Sequence, residues 1–327
     1  MGGDLGPRLC VPAALKFLLD QNEFDVVLFG RQEIIEAFLP QSDSPNSELK
    51  KRISVVHCEQ EVEMGEVPGA AYRHKRESSM WRALELLASG EAQACVSAGN
   101  TGALMAMSRH IVKTVNGMSR PAICKQVPTE KGDSYLLDLG ANLDCSPEQL
   151  LQFAQIGSAL AKVNGKPEPA IALMNVGAET SKGNQDTKLT YTLLEEQKEL
   201  NFQGFVEGNQ LYTGQFDVIV CDGFVGNVAL KVSEGAASFI LNSLKQEFKS
   251  GLFRKVLGAA VFFALKNWRE RFNPSKYNGA ALLGLKKVVV KSHGGADLEG
   301  FYHALQTAMQ QVQASIPEKL ETSLNPI

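Results

Sequence analysis

Four short apolar runs in this chain end in a Gly-rich polar turn that opens into a helix-like segment. The residues in these turns are of the types that hold an oxyanion. The turns are Gly99-Asn100-Thr101-Gly102, Gly140-Ala141-Asn142, Gly177-Ala178-Glu179 followed by Lys182-Gly183-Asn184, and Asp222-Gly223-Phe224-Val225-Gly226-Asn227. Glycine lets backbone N–H groups approach an anion, and a helix N-terminus favours negative charge. Lys182 sits in a Gly-flanked loop just after an apolar run, where it serves either as a cation for an oxyanion or as an ordinary solvent lysine. Asn227 opens a long helical pattern over 227–249, and Asn100 and Thr101 open another. Asn is a common N-cap, so a structural reading stands beside the chemical one. At the carboxyl edge of a parallel sheet, where open α/β proteins bind ligands, such turns converge. The expectation is one site on one sheet edge, for a phosphate-like or carboxylate-like group, with N–H groups of Gly99–Gly102 and Gly223–Gly226 cradling it.

Most other chemistries lack their signatures. No GxxxxGK[ST] is present, no GxGxxG follows a strand-like run, and GxSxG and HExxH are absent. The five histidines make no metal-ligand spacing and the six cysteines form no CxxC. Cys58, Cys95 and Cys221 lie in apolar runs and read as buried reduced thiols. No metal and no cofactor are expected. What remains is catalysis by alignment and electrostatics.

The elements that must position these turns alternate. Apolar strand-like runs lie near 25–30, 52–58, 93–98, 134–139, 169–176, 216–221 and 280–291. Helical periodicity covers 9–20, 31–38, 77–89, 101–114, 147–163, 186–200, 227–249, 251–271 and 296–315. This predicts βαβ units and an α/β fold with a mostly parallel sheet. Ser146-Pro147-Glu148 is a helix start, with Ser146 as N-cap and Pro147 at N1. Residues 41–50 read as a polar loop and 317–327 as a loose tail. The 327 residues, 44% apolar, suffice for one large domain, and a net charge of −3 does not point to nucleic acid. The first residues lack a basic segment followed by an apolar one, so no signal peptide is read. The longest apolar run, Val256 to Leu265, is too short to cross a bilayer. Between Lys245 and Lys291 there are eleven basic residues and only two acidic ones, interleaved with Leu252, Phe253, Val256, Leu257, Phe262, Phe263 and Trp268. A basic, apolar helical segment over 245–280 serves as a surface for an acidic protein or an anionic membrane, or as core or dimer packing.

Taken together in order, these motifs resemble the bacterial phosphate acyltransferases of phospholipid synthesis. The match rests on Met1-Gly2-Gly3-Asp4, Ser97 to Ala103, Leu137 to Asn142, Asn175-Val176-Gly177, Lys182-Gly183-Asn184, Cys221 to Asn227, Asn273-Pro274, Tyr277 to Ala280 and Val290-Lys291-Ser292-His293-Gly294. The resemblance implies a three-layer α/β/α sandwich shared with phosphotransacetylases and isocitrate-dehydrogenase-like proteins, with a protruding helical pair. It implies transfer of a long fatty acyl group from acyl carrier protein to inorganic phosphate. The acyl phosphate product would feed a membrane glycerol-3-phosphate acyltransferase. It further implies a homodimer, cytoplasmic and peripherally membrane-associated, and a β-strand directly before Met-Gly-Gly-Asp. Carried over by motif, Lys182 and Asn227 are the candidate catalytic residues. Gly2, Gly3, Asp4, Gly99, Asn100, Thr101, Gly102, Asp138, Asn142, Asn184, Asp222, Gly223, Gly226 and His293 are the candidate substrate-binding residues.

In the reaction so implied, a phosphate oxygen attacks the thioester carbonyl. Three other readings use the same residues differently: a CoA-dependent phosphotransacetylase-like enzyme, an NAD-dependent decarboxylating dehydrogenase of related fold, and a non-enzymatic membrane or carrier-protein adaptor built on 245–291.

Overall fold

A computed structural model describes residues 1–41, 47–249, 261, 264 and 274–324. In chain order the helices are α1 (Pro7–Asp20), α2 (Gln32–Glu36), α3 (Ser47–Lys50), α4 (Pro68–His74), α5 (Ser79–Ser89), α6 (Thr101–Ile111), α7 (Pro147–Val163), α8 (Gln185–Glu195), α9 (Gly223–Lys249), α10 (Leu298–Gln313) and α11 (Ile316–Leu324). The strands are β1 (Val26–Gly30), β2 (Ile53–His57), β3 (Ala94–Ser97), β4 (Ala122–Thr129), β5 (Gly132–Leu137), β6 (Ile171–Met174), β7 (Phe202–Val206), β8 (Val218–Val220), β9 (Ala280–Leu283) and β10 (Val288–Lys291).

Eight strands form one mixed sheet in the order β3-β10-β9-β4-β5-β8-β6-β7. Strands β6, β8 and β10 are buried on both faces, as layers of helices on either side require. Their side chains alternate between two cores. Ala172, Met174, Ile219 and Cys221 pack with α5 and α6 residues such as Leu84 and Leu104. Ile171, Leu173, Val218 and Val220 pack with Phe153 and Ile156 of α7 and Leu320 of α11. This is the expected α/β/α sandwich. Ser146 caps α7 in a full capping box with Gln149, and Pro147 stands at its first turn.

The sheet is mostly parallel, as expected, but three antiparallel pairings reverse part of it. β3 and β10 are parallel, but β9 is antiparallel to both β10 and β4, and β4 is antiparallel to β5. Strands β5, β8, β6 and β7 are parallel to one another. Hence β3 and β10 run opposite to β5, β8 and β6, and the four turns do not share one sheet edge. The reversal arises in two hairpins that the apolar pattern hid. The run 280–291 is two strands around Gly284, not one. β4 carries Lys125, Gln126 and Pro128, which interrupt its hydrophobic signal. β7, with Gln203 and Gly204 inside it, was hidden in the same way.

β1 and β2 form a separate two-stranded parallel sheet, so the middle layer is divided. Helix α5 contacts both β1 and β3. Between these strands lies an apolar cavity of about 440 Å³, lined by residues including Val26, Leu28, Val96 and Phe301. The Met1 amine donates to the Phe29 carbonyl there, at 3.0 Å. Residues 317–324 belong to α11 rather than to a loose tail, because Ile316 and Leu320 are buried against α7. Most of the basic segment 245–280, including the expected helix 251–271, lies outside the described residues. All six cysteines are free, and five of them are buried.

Helix α9 starts four residues earlier than the pattern suggested. Asp222 is its cap, accepting from the Val225 N–H at 2.9 Å, so Asn227 lies in the second turn and not at the N-cap. Gly223–Phe248 is long and apolar enough to cross a membrane by length and composition. Its apolar face, with Val228, Val232, Phe239 and Ile240, is exposed. The helix begins with its backbone pressed on the turn after β5. A Cβ on Gly226 would lie 2.0 Å from the Asp138 carbonyl oxygen, and one on Gly223 would lie 2.4 Å from that of Asn142. Backbone cannot yield as a flexible side chain would, so Gly226→Ala is expected to lower stability by at least about 1–3 kcal/mol. Thermal unfolding checks this; an unchanged midpoint would show that α9 does not sit this close.

Candidate functional site

The site has two banks joined by one helix face. The first bank is the set of turns leaving β5, β8 and β6, which are neighbours in the sheet, with Leu173 opposite Val220 and Leu137 opposite the same residue. Asp138 is fully buried at the end of β5. Its carboxylate accepts from the N–H groups of Ile123, Ala141 and Asn142 and from Asn142 Nδ2, at 2.7–3.1 Å. Burial holds its pKa above the ordinary carboxylate value, and these donors offset that only in part. Asn142 Nδ2 also donates to the Pro121 carbonyl. These two residues therefore shape the turn.

Neighbouring groups are similarly engaged. The Gly223 N–H donates to Asn142 O at 2.8 Å and the Gly226 N–H to Asp222 O at 2.9 Å. The amides of Gly223, Val225 and Gly226, expected to cradle an anion, thus already have partners inside the protein. Asn227 is different. Its side chain is exposed and lies over Gly140, where a Cβ would come within 3.4 Å of Asn227 Cγ. Lys182 is also exposed and lies across Gly177, with its ammonium 3.0 Å from Glu179. The hydrogen bond from Lys182 holds the Glu179 carboxyl below its usual range. Asn175 braces this loop by donating to the carbonyls of Gly177 and Lys182. Asn184 caps α8 by accepting from the Thr187 N–H and hydroxyl.

The second bank gathers the N-terminal loop, the turn after β3 and the turn after β10. Gly2 packs on the Gly99 backbone, Gly3 lies against Ala98, and the Asp4 N–H donates to Gly294 O at 2.9 Å. Asn100 is a buried cap: Oδ1 accepts from the Ala103 N–H, and Nδ2 donates to the carbonyls of Met64 and Glu66. Among the described residues no group accepts from the first-turn amides of Thr101 and Gly102, at the positive end of α6. His293 is held by its own N–H on Asn278 Oδ1 and by the Gly295 N–H donating to its Nδ1.

Helix α9 crosses between the banks. Asn227, Lys231 and Glu234 fall on one face at i, i+4 and i+7. Lys231 Nζ lies 3.3 Å from His293 Nε2 and 3.2 Å from Glu234, whose other oxygen is 3.1 Å from Lys125 Nζ. Burial opposes ionisation of Glu234, but Lys125 and Lys231 outweigh it and hold the carboxyl below its ordinary value. Lys291, at the end of β10, is 8% exposed. It donates to the carbonyls of Ala98 and Ser292. Sequence reading missed Lys125, Lys231 and Lys291 as members of the site. The four-residue step from Asn227 to Lys231 was visible, but the depth of Lys291 follows only from the β9–β10 hairpin.

Burial, reinforced by Lys231 and partly offset by Asp4, lowers the pKa of Lys291 from 10.5 to about 8. Between these values the unfolded chain holds that proton more tightly than the folded one. This lysine therefore makes stability rise with pH over about 8 to 10.5. Denaturant unfolding at pH 7 and pH 10 should show a smaller rise in Lys291→Met than in the wild type. Equal rises would show that the ammonium is not desolvated.

Residues 1–319 match the family described as fatty acid synthesis protein. The phosphate acyltransferase of Saccharophagus degradans is 53% identical over 324 residues, 99% of this chain and 94% of its own length. That of Pseudomonas aeruginosa is 47% identical over 324 residues, 99% of this chain and 96% of its own. Among solved structures, a phosphotransacetylase from Streptococcus pyogenes is similar with a TM-score of 0.60 at 16% identity, covering 94% of this chain and 91% of that one. A branched-chain phosphotransacylase from Enterococcus faecalis follows with a TM-score of 0.55 at 16% identity, covering 95% and 96%. These structures share the fold. The full-length identity to the curated relatives carries more, and by it this chain belongs to the phosphate acyltransferases of fatty acid and phospholipid synthesis, as an acyl-group transferase.

Proposed function

We propose that this enzyme moves a long fatty acyl group from the phosphopantetheine thiol of acyl carrier protein to inorganic phosphate, releasing acyl phosphate. The observation that carries this reading is the neighbourhood of two exposed polar side chains, Lys182 and Asn227. They stand on turns from adjacent strands, in a bank whose other polar groups are already bonded to the protein. Among the described residues the Asn227 side chain has no hydrogen-bond partner and that of Lys182 has only the exposed Glu179, so both can turn to a substrate.

A phosphate oxygen attacks the thioester carbonyl carbon; the C–O bond forms, the C–S bond breaks, and the thiolate leaves and takes a proton from solvent. Phosphate dianion is nucleophilic near neutral pH, so no strong base is required. The work lies in alignment, which contributes roughly 7–11 kcal/mol, and in stabilising the oxyanion. In this reading Lys182 turns from Glu179 to the developing negative charge, and the Asn227 amide donates to the carbonyl or phosphate oxygen. The exposed apolar face of α9 supports a homodimer that associates peripherally with membranes, where a membrane-bound glycerol-3-phosphate acyltransferase would consume the product.

The test is acyl phosphate formation by purified protein from phosphate and an acyl-carrier-protein thioester, with the CoA thioester in parallel. The carrier-protein donor is expected to be preferred. Lys182→Ala and Asn227→Ala should each lose about tenfold to a thousandfold in rate while keeping the wild-type unfolding midpoint. Preference for CoA would overturn the donor assignment, and near-normal activity in either variant would remove that residue from the chemistry.

A further inference from the structure

Two lysines, Lys231 and Lys291, stand with His293 in a cluster of hydrogen-bond donors that the acyl-transfer step above does not use. Its acidic complement is small. Glu234 is shared between Lys231 and Lys125. Asp4 acts on Lys291 through space, and no ion pair to Lys291 is formed among the described residues. A nearly buried ammonium whose bonds are to neutral carbonyls is costly unless an anion joins it.

The histidine adds a directional argument. Its Nδ1 accepts from the Gly295 N–H at 3.1 Å, so the neutral ring carries its proton on Nε2. Burial, with Lys231 next in effect, lowers the ring's pKa, which favours that neutral form. The Nε2–H then faces the Lys231 ammonium at 3.3 Å. Two donors point at each other with no acceptor between them, and an oxyanion oxygen would satisfy both.

We propose that Lys231, His293 and Lys291 form a phosphate-binding subsite, in which one phosphate oxygen accepts from Lys231 Nζ and His293 Nε2 and the anion neutralises Lys291. Lys231 lies one helical turn, roughly 6 Å, from Asn227 on the same face, so the bound group stands beside the reacting atoms. The ligand chemistry is a phosphate group, either free inorganic phosphate or the phosphodiester of the donor's pantetheine arm. This assignment rests on the acyl-transfer reading for its place in the reaction, but not for its existence.

The test uses the full chain and two variants, Lys231→Gln and His293→Phe, both at exposed positions, with unfolding midpoints measured as a check on folding. Inorganic phosphate alone is titrated calorimetrically, and KM is measured separately for phosphate and for the acyl-carrier-protein thioester. Loss of a charge-assisted hydrogen bond should weaken phosphate binding about tenfold or more in Lys231→Gln. The double variant should lose less than the product of the two singles, since both donors serve one oxygen. If phosphate binding is unchanged and the donor KM rises instead, the occupant is the phosphodiester and the subsite stands. If neither moves in folded variants, the subsite is overturned. If phosphate binds and both variants weaken it, but the wild type makes no acyl phosphate from either donor, the subsite stands and the acyl-transfer reading fails.

Discussion

The architecture of the site depends on how closely the first turn of α9 approaches the turn after β5. Gly223 and Gly226 let helix backbone rest on the carbonyls of Asn142 and Asp138. A buried carboxylate with four donors holds that turn rigid from below. Everything further along the helix follows from this contact. Asn227 is set over Gly140, Lys231 beside His293 and Glu234 against Lys125. The two banks come from strands of opposite direction, and α9 is the element that brings their polar groups to one place.

This arrangement changes what the glycine-rich turns are for. They look like anion cradles, but much of their hydrogen-bonding capacity is spent on the protein itself. Asp222 caps α9, Asn184 caps α8 and Asn100 caps α6. Rigid turns make good platforms, because a side chain placed on a fixed backbone loses less freedom when it engages substrate. Lys182 and Asn227 are exposed side chains beside such platforms, and Lys231 follows one helical turn further along α9. Lys291 is the exception, a cation buried in the platform itself.

The sandwich, the capped start of α7 and the presence of turns after β3, β5, β6 and β8 are legible in the sequence, because periodicity and capping chemistry are local signals. What was not legible was long-range. β4 hid behind Lys125, Gln126 and Pro128, and β9 and β10 read as one strand, so the reversal of sheet direction went unseen. The start of α9 was misplaced because Asp222 and Asn227 are both good caps; only packing on Asp138 decides between them. Lys231 and Lys291 belong to a helical and an apolar run visible in the sequence, but their meeting with His293 depends on which way the strands point.

A crystal structure of the full chain grown in phosphate with a non-hydrolysable acyl thioester tests the central claim most directly. The account predicts phosphate held against the α9 face, within hydrogen-bond reach of Asn227 and Lys231, with Lys182 turned from Glu179 toward the thioester carbonyl. Phosphate bound away from α9, with Lys182 still paired to Glu179, would contradict it.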